Sequence, residues 1–264
     1  MDRKLILTQY ASVIDAEGLF IKTLDQMVSA TVKFEPEITD FLTPDVTAAM
    51  ERIAVFHTEL KVLRWGIFEE AERVKLVFCP DFMEENELNP SDYIALLDIK
   101  YNQKFNKLEH RDALGALMAS GVKRNRLGDI IVYEGGFQVA VDRSLVEYFC
   151  HNLDKIGRSG VQCVEIHPEQ AIRIERTTQE VTGTVKSIRL DSIIALAYDL
   201  SRSESQSLVE HGFVKVNHIV IEKAGFVPKE KDLISVRGHG RFTIDEILGT
   251  TKKDRTRVRL QLIV

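Results

Sequence analysis

The chain has 264 residues, of which 44% are hydrophobic and 28% are charged, and its formal net charge is −5. This composition is typical of a folded protein with two or three domains and argues against a disordered chain. We find neither the run of about 18 apolar residues that a membrane span needs nor the apolar core of a signal peptide near Met1. The three cysteines are far apart and form no Cys-x-x-Cys motif, which suits a reduced compartment. We therefore expect a cytoplasmic protein.

The charge is unevenly distributed along the chain. Residues 186–264 carry 14 Lys and Arg against 10 Asp and Glu, whereas residues 1–185 carry 21 against 30. A polyanion such as a nucleic acid would be attracted to the C-terminal part and repelled by much of the remainder. This pattern predicts an oriented encounter with nucleic acid and not a uniformly basic binding surface.

Residues 1–73 are predicted to form a mostly helical N-terminal region. The apolar pattern from Leu5 to Val32 is broken near Gly18. Thr43 is suited to the N-cap of a helix, and Pro44 is suited to its first position. No catalytic pattern occurs here, and Trp65 is expected to anchor packing.

Residues 74–182 are predicted to form an α+β domain, an antiparallel sheet with helices on one face. Helical patterns at about 108–120 and 144–156 are followed by Gly121 and Gly157, which we expect at C′ positions. Glu134-Gly135-Gly136 is expected to turn between two strands. The predicted strands are Val74–Phe78, Ile94–Ile99, Ile130–Tyr133, Phe137–Val141 and Val161–Ile166, with Ala171–Ile174 and Val181–Val185 as further candidates.

Residues 183–264 are predicted to form a small αα-β domain. We expect Asp191 or Ser187 near the N-cap of a first helix. The segment Ser203–Gln206 has the spacing of a capping box for a second helix, with Ser203 as its N-cap. Gly212 suits the position after that helix. The β-rich runs Phe213–Val216 and Ile219–Ile221 are separated by two residues, which is hairpin spacing.

Four motifs in this part resemble the S4-type RNA-binding domain first described in a ribosomal protein of the small subunit. They are Arg189-Leu190-Asp191, Ser201-Arg202-Ser203, Gly212-x-Val214-Lys215-Val216-Asn217 and Val236-Arg237-Gly238-x-Gly240-Arg241-Phe242. In that family the second helix and the hairpin form a basic surface that docks on structured RNA. The resemblance implies that the RNA-binding residues are Arg189, Ser201, Arg202, Ser203, Gln206, Lys215, Asn217, Arg237, His239 and Arg241.

A second stretch, His110–Met118 followed by Gly121-Val122-Lys123-Arg124-x-Arg126-x-Gly128-Asp129-Ile130, resembles the middle domain of the YlmH-type RNA-binding proteins. That bacterial family joins an N-terminal segment, an α+β domain and an S4-type domain, in the order expected here. The resemblance implies action on the ribosome, on large-subunit rRNA and tRNA during rescue of stalled nascent chains. From the residues alone, Lys123, Arg124 and Arg126 form a basic loop that could hold phosphates as a secondary RNA site or could be solvated charge.

The motifs of common enzymes are incomplete in this sequence. His110-Arg111-Asp112 resembles a kinase catalytic loop, but Leu117 stands where its asparagine should be. The seven histidines show no metal-ligand spacing, and we find no P-loop and no Gly-x-Ser-x-Gly motif. We therefore expect a non-enzymatic RNA-binding protein without cofactor or metal. The alternatives are an RNA-modifying enzyme of the pseudouridine synthase or methyltransferase type with an unrecognised catalytic middle domain, and an adaptor linked to cell division.

Overall fold

The computed structural model describes Ile6, Tyr10 and residues 17–103, 107–173, 177–251 and 254–263. The described chain forms two compact units, one between residues 17 and 173 and the other between residues 177 and 263. Both units combine helices with antiparallel sheets, so the predicted α+β class is confirmed. No helix among the described residues is long and apolar enough to cross a membrane.

The first unit begins with two helices and a three-stranded antiparallel sheet of order β1-β3-β2. The second helix starts as predicted, with Thr43 at the N-cap and Pro44 at the first position. Strands β2 and β3 were not foreseen as partners, and they pair across the predicted boundary at residue 73. The predicted helical pattern before Glu17 lies largely outside the described residues. The elements are α1 (Glu17–Lys33), β1 (Glu37–Ile38), α2 (Pro44–Ala54), β2 (Leu60–Trp65) and β3 (Lys75–Pro80).

A five-stranded antiparallel sheet of order β5-β6-β4-β8-β7 completes the first unit. The tight turn between β5 and β6 has Gly135 at a φ of 89°, which explains the glycine there. No strand forms at Ala171–Arg173, and Ile174 lies outside the described residues. The strands predicted at Ile94–Ile99, Ile130–Tyr133, Phe137–Val141 and Val161–Ile166 are confirmed in this sheet, whereas the strand predicted at Val74–Phe78 is β3 of the three-stranded sheet. The elements are β4 (Ile94–Tyr101), α3 (His110–Ala119), β5 (Leu127–Tyr133), β6 (Gly136–Asp142), α4 (Val146–Asn152), β7 (Lys155–Ile156) and β8 (Ser159–Ile166).

Both faces of this sheet are covered. Helices α3 and α4 pack on one face through a core that includes Leu117 and Phe149. On the other face, Phe41 and Phe68 from the preceding region pack against Leu96 and its neighbours. Apolar runs with little alternation are typical of strands buried on both sides, and the first six residues of β4 are all buried. The predicted helices lie on one face, and the N-terminal region supplies the second cover.

The predicted helix at residues 144–156 is too long. Helix α4 ends at Asn152, and Lys155–Ile156 form β7, which pairs with the start of β8. Gly157, at a φ of 59°, therefore lies in the turn of a hairpin and not at the helix terminus. Gly121 does follow α3 as predicted, at a φ of 81°.

Gly128 permits close packing between the N-terminal region and the sheet. A Cβ atom there would lie 2.8 Å from the Phe41 ring and 2.9 Å from the Ala140 side chain. We expect Gly128→Ala to lower the free energy of unfolding by about 1–3 kcal/mol, because the buried neighbours must shift. The control is Gly115→Ala in α3, where an added Cβ meets no atom within 4 Å. Urea denaturation of both variants checks this, and equal midpoints would contradict it.

The second unit contains two helices and a six-stranded antiparallel sheet of order β11-β10-β12-β13-β14-β9. Strand β9 includes the predicted strand at 181–185 and spans the predicted boundary at residue 182. The three-part division of the chain stays a prediction. The elements are β9 (Thr178–Val185), α5 (Leu190–Tyr198), α6 (Arg202–Glu210), β10 (Val214–Val216), β11 (Ile219–Val220), β12 (Leu233–Val236), β13 (Gly240–Thr250) and β14 (Thr256–Ile263).

The helices of the second unit cover the inner face of its sheet. Ile193 and Ile194 of α5 share a core with Val214, Phe242 and Leu260. The predicted hairpin is confirmed, since β10 and β11 pair through a two-residue turn. Its turn residues Asn217 and His218 have φ values of 48° and 67°, as a type I′ turn requires.

The predicted cap of the second helix is wrong. Ser201, not Ser203, is the N-cap, and its hydroxyl accepts a hydrogen bond from the Glu204 amide at 3.2 Å. The Glu204 carboxylate accepts one from the Ser201 amide at 2.9 Å, which completes the capping box. Ser201 and Ser203 both have a suitable partner three residues later, so spacing alone does not decide between them. Helix α5 begins one residue before Asp191, with Arg189 as its N-cap.

Candidate nucleic-acid interface

A row of polar side chains crosses three strands of the second unit. Lys215 of β10 lies opposite Ser235 of β12, which lies opposite Arg241 of β13. Directly opposed residues of antiparallel strands point to the same face, and adjacent strands are ~4.8 Å apart. The neighbours Val236 and Phe242 are buried against the helices. The row therefore places two cations on the outer face of the sheet, with their Cα atoms roughly 10 Å apart.

This row lies in a groove of about 540 Å³. Three basic side chains line the groove, and the Glu222 carboxylate lies beside it, 3.5 Å from the position of a Cβ added at Gly212. Arg237 stacks over the Phe213 ring, 5.5 Å from its centroid, a cation–π contact that holds the guanidinium at the groove wall. A guanidinium that lies over an aromatic ring can contact RNA phosphates, and the ring beside it can stack on a base. The groove is lined by Gly212, Phe213, Lys215, Val220, Ser235, Val236, Arg237, Gly238, Gly240 and Arg241.

The turn between β12 and β13 separates the groove from a second group of side chains. His239, the last residue of this turn, packs against Tyr198 at the end of α5, with 5.3 Å between ring centroids and the rings tilted by 40°. Burial raises the pKa of Tyr198 to about 12, so this phenol is neutral at physiological pH. Gly240, at a φ of 118°, lets the turn pass over Tyr198, whose hydroxyl lies 3.6 Å from the position of an added Cβ. His239 is thus positioned beside α5, away from the groove.

Arg189 and Arg202 meet at a buried carboxylate. Arg189 donates to both oxygens of Asp191 at 3.1 and 2.8 Å, and Arg202 lies 3.8 Å from the same group. Burial alone would raise the pKa of Asp191, but the hydrogen bonds and charge of Arg189, with help from Ser192, hold it below its ordinary value. The carboxylate therefore stays ionised and offsets part of the positive charge. Arg202, whose side chain is 69% exposed, is the cation of this pair that remains accessible.

Several other predicted RNA-binding residues bond within the protein. Ser201 caps α6, and Ser203 lies 3.1 Å from the Ser201 hydroxyl. Gln206 donates to Glu210 at 2.7 Å. Asn217 donates to Asp232 at 2.7 Å and accepts from the Leu233 amide at 2.9 Å, which fixes the hairpin turn. The structure gives these four side chains roles in local folding, and their predicted contact with RNA stays a prediction.

The predicted secondary site is largely engaged by the protein itself. Arg124 donates to the carbonyls of Leu127 and Gly128 at 2.6 and 3.1 Å. Arg126 donates to Asp142 at 2.7 Å and to Ser144 at 2.6 Å. Only Lys123 of the three basic residues is exposed. The loop residues thus stabilise the sheet edge, and the groove is the stronger candidate for phosphate binding.

Two groove residues were missed by the analysis of the sequence. Phe213 was assigned to a strand, yet it lies just before β10 and is 40% exposed. Ser235 was not singled out, although it alternates with the buried Ile234 and Val236, a pattern that places it on the outer face. Among the described residues, no group of three His, Cys, Asp or Glu side chains could hold a metal ion.

Three family models match the chain in sequence order. They are described as "YlmH, N-terminal" over residues 19–82, "Putative RNA-binding domain in YlmH" over residues 89–170 and "S4 domain" over residues 188–234. The predicted resemblance to both groups is confirmed.

Two relatives extend this similarity. A protein of Bacillus subtilis (strain 168), "Ribosome-associated protein quality control protein P2", is 32% identical over 231 residues, which cover 87% of this chain and 88% of the relative. A solved structure, "Cell division protein ylmH from Streptococcus pneumoniae", is 27% identical with a TM-score of 0.51. That match covers 60% of this chain and 95% of the other.

Proposed function

Because the chain belongs to the YlmH family, which carries an S4 RNA-binding domain, we propose that it is a non-enzymatic, cytoplasmic protein that binds structured RNA on the ribosome. The observation that carries the proposal is the groove, where the three basic side chains Lys215, Arg237 and Arg241 lie together on the outer face of the sheet. Cations with this spacing suit phosphate groups, and a folded RNA holds its phosphates at fixed positions.

We infer that the groove residues and Arg202 form the primary RNA contact. Arg237 and Arg241 can each offer a planar fork to two phosphate oxygens, which lysine cannot do. Arg189 is less available for RNA than these residues, because its guanidinium already donates to both oxygens of Asp191. His239 adds a polar ring beside Tyr198 at the edge of the turn.

The finer part of the proposal is that the chain acts on large-subunit rRNA and tRNA during rescue of stalled nascent chains. The name of the relative from Bacillus subtilis supports an association with ribosomes and with protein quality control. The net charge of −5 also favours a specific site, because much of the chain would be repelled by RNA.

Sedimentation with ribosomal particles tests this proposal. In a sucrose gradient at about 50 mM salt, the full-length protein should move with large subunits, preferring those that still hold a tRNA. It should return to the free fractions near 500 mM salt, since phosphate contacts release counterions and weaken steeply with salt. Ribosome-free lysate serves as the control. If the protein stays in the free fractions at low salt, the ribosomal assignment is wrong.

A second candidate is the adaptor linked to cell division, which the name of the solved relative from Streptococcus pneumoniae favours. An adaptor would keep its partner when RNA is digested, whereas the proposed RNA-binding protein would leave the particles. The RNA-modifying enzyme would instead leave a modified nucleotide in RNA recovered from the incubation. Mass spectrometry of that RNA, with and without S-adenosylmethionine, distinguishes it from a protein that only binds.

A further inference from the structure

One end of the three-stranded sheet carries five exposed apolar side chains. Strands β1 and β2 both pair with β3 in the antiparallel sense, so they begin at the end of the sheet where β3 finishes. Adjacent strands are ~4.8 Å apart, which places the three segments at this end, residues 32–36, 55–59 and 81–87, close to one another where they meet the sheet. We call the five side chains the apolar end. Each is between 64% and 75% exposed, and they are Val32, Phe34, Val55, Phe56 and Phe82.

Hydrogen bonds hold the segments of the apolar end in place. The Asp81 amide donates to the Glu59 carbonyl at 3.0 Å, which joins the segment after β3 to the segment before β2. The Lys61 ammonium donates to the Met83 carbonyl at 3.1 Å and anchors the segment after β3 a second time. Because these segments are already ordered, a partner can bind them with little loss of backbone entropy.

Phe34 is exposed although its backbone conformation is unfavourable. It follows the last residue of α1 with a φ of 56°, in a position where glycine is usual. Its amide donates to the Ala30 carbonyl at 3.1 Å and so closes the last turn of the helix. A glycine would make the same bond without strain, and a ring that is 64% exposed gains little from the core. A contact outside the chain accounts better for a phenylalanine at this position.

Acidic side chains surround the apolar end. Lys33 is the one Lys or Arg in the sequence of the three segments, and the Glu37 carboxylate lies 3.9 Å from its ammonium. Two further cations, Arg52 and Lys61, flank the segments. The exposed acidic residues of the same segments outnumber these cations, and those that the structure describes are Glu35, Glu59, Asp81, Glu84 and Glu87. The electrostatic potential around the phenylalanines is therefore negative.

This charge decides between the possible occupants of the apolar end. RNA and anionic lipid would be repelled by its carboxylates. Two copies of the chain that met through this end would bring the same carboxylates together, since a two-fold interface uses one surface twice. A protein segment with cations beside apolar side chains has the complementary charge. We propose that the apolar end is a docking surface for a basic protein segment that carries apolar anchor residues.

The two parts of this surface have different roles in binding. The phenylalanines supply affinity, because they bury apolar area against the anchors of the partner. The carboxylates attract the cations of the partner and exclude acidic segments. The apolar end belongs to the first unit and the groove to the second, so the inference does not depend on RNA binding by the groove.

Synthetic peptides test the surface in the full-length protein. The probe is a labelled helical peptide of about 15 residues with leucines on one face and lysines on the other, and its counterpart has glutamates in place of the lysines. In fluorescence anisotropy at ~100 mM salt, the basic peptide should bind at least about 10-fold more tightly than the acidic one. The variant Phe56→Ser/Phe82→Ser should lose about 10-fold or more in affinity for the basic peptide, because it removes two anchors.

The matched control is Val227→Ser in the second unit, which replaces an apolar side chain that is 62% exposed. It should bind the basic peptide as wild type does. A second variant, Glu35→Gln/Asp81→Asn, removes charge while keeping the shape of both side chains. It should weaken binding of the basic peptide by a few-fold and make the affinity less dependent on salt. Thermal unfolding checks that each variant is folded.

Four results would overturn the inference. The first is that neither peptide binds the wild-type chain at concentrations up to ~1 mM. The second is that the acidic peptide binds as tightly as the basic one, or that the two apolar variants bind the basic peptide alike. The third is weaker binding of a stem-loop RNA by Phe56→Ser/Phe82→Ser, which would make the apolar end part of an RNA interface. The fourth is a wild-type dimer that this variant abolishes, which would make a second copy the occupant.

Discussion

Replacing Lys215, Arg237 and Arg241 together by alanine should weaken binding of a structured RNA by about 100-fold at ~0.1 M salt. Three phosphate contacts at ~0.7 counterions each contribute about two powers of ten to the affinity at this salt concentration. The slope of log affinity against log salt should become shallower by about two for the same reason. Fluorescence anisotropy with a labelled stem-loop, measured between 50 and 400 mM salt, gives both quantities.

The control for this variant removes the same charge from the other unit. Arg111, Lys155 and Arg158 are exposed basic residues of the first unit, and their triple alanine variant should bind RNA nearly as wild type does. Thermal unfolding must show that the groove variant remains folded, as expected for residues on the outer face. If both triple variants lose affinity equally, binding depends on overall charge and the groove is not the RNA site.

Lys75→Ala should lower the free energy of unfolding by about 3–5 kcal/mol, the second large effect we expect. Lys75 of β3 is 4% exposed and lies 2.8 Å from Asp142 at the end of β6. The pair links the three-stranded sheet to the five-stranded sheet. In the variant, Asp142 loses the Lys75 ammonium and keeps its ion pair with Arg126, which lies 2.7 Å from its other carboxylate oxygen. Urea denaturation at pH 7 measures the loss.

The effect of Lys75→Ala should depend on pH with a defined sign. Burial alone would raise the pKa of Asp142, but the hydrogen bond and charge of Lys75 outweigh burial and lower it. A lowered folded pKa stabilises the protein above the unfolded value of ~3.9, and the contribution is lost as pH falls further through the folded value. The difference between wild type and variant should therefore be constant from pH 5 to 8 and shrink below pH ~4.

Lys231→Ala is the matched control for the buried pair. Lys231 lies 2.8 Å from Asp245, the distance found for Lys75 and Asp142, but its side chain is 74% exposed. Water screens such a pair, so little or no change in the denaturation midpoint is expected. Equal losses in Lys75→Ala and Lys231→Ala would show that burial is not what makes the first pair important.

The local elements followed from the sequence because their causes lie within a few residues. Thr43-Pro44 starts α2, Gly121 ends a helix at positive φ, and Asn217-His218 turns a two-residue hairpin. The order of the S4-type motifs similarly indicated the fold of the second unit. These features depend on backbone conformations and caps that short segments determine by themselves.

Tertiary structure decided what the sequence left open, which is the partner of each polar group. Arg126 and Lys215 are both cations in basic motifs, yet the first donates to Asp142 in the first unit and the second lies with Arg237 and Arg241 in the groove of the second unit. Lys155–Ile156 continued a helical pattern, but pairing with β8 made them a strand. Such long-range contacts depend on how the strands are arranged in the sheet, which local sequence patterns do not encode.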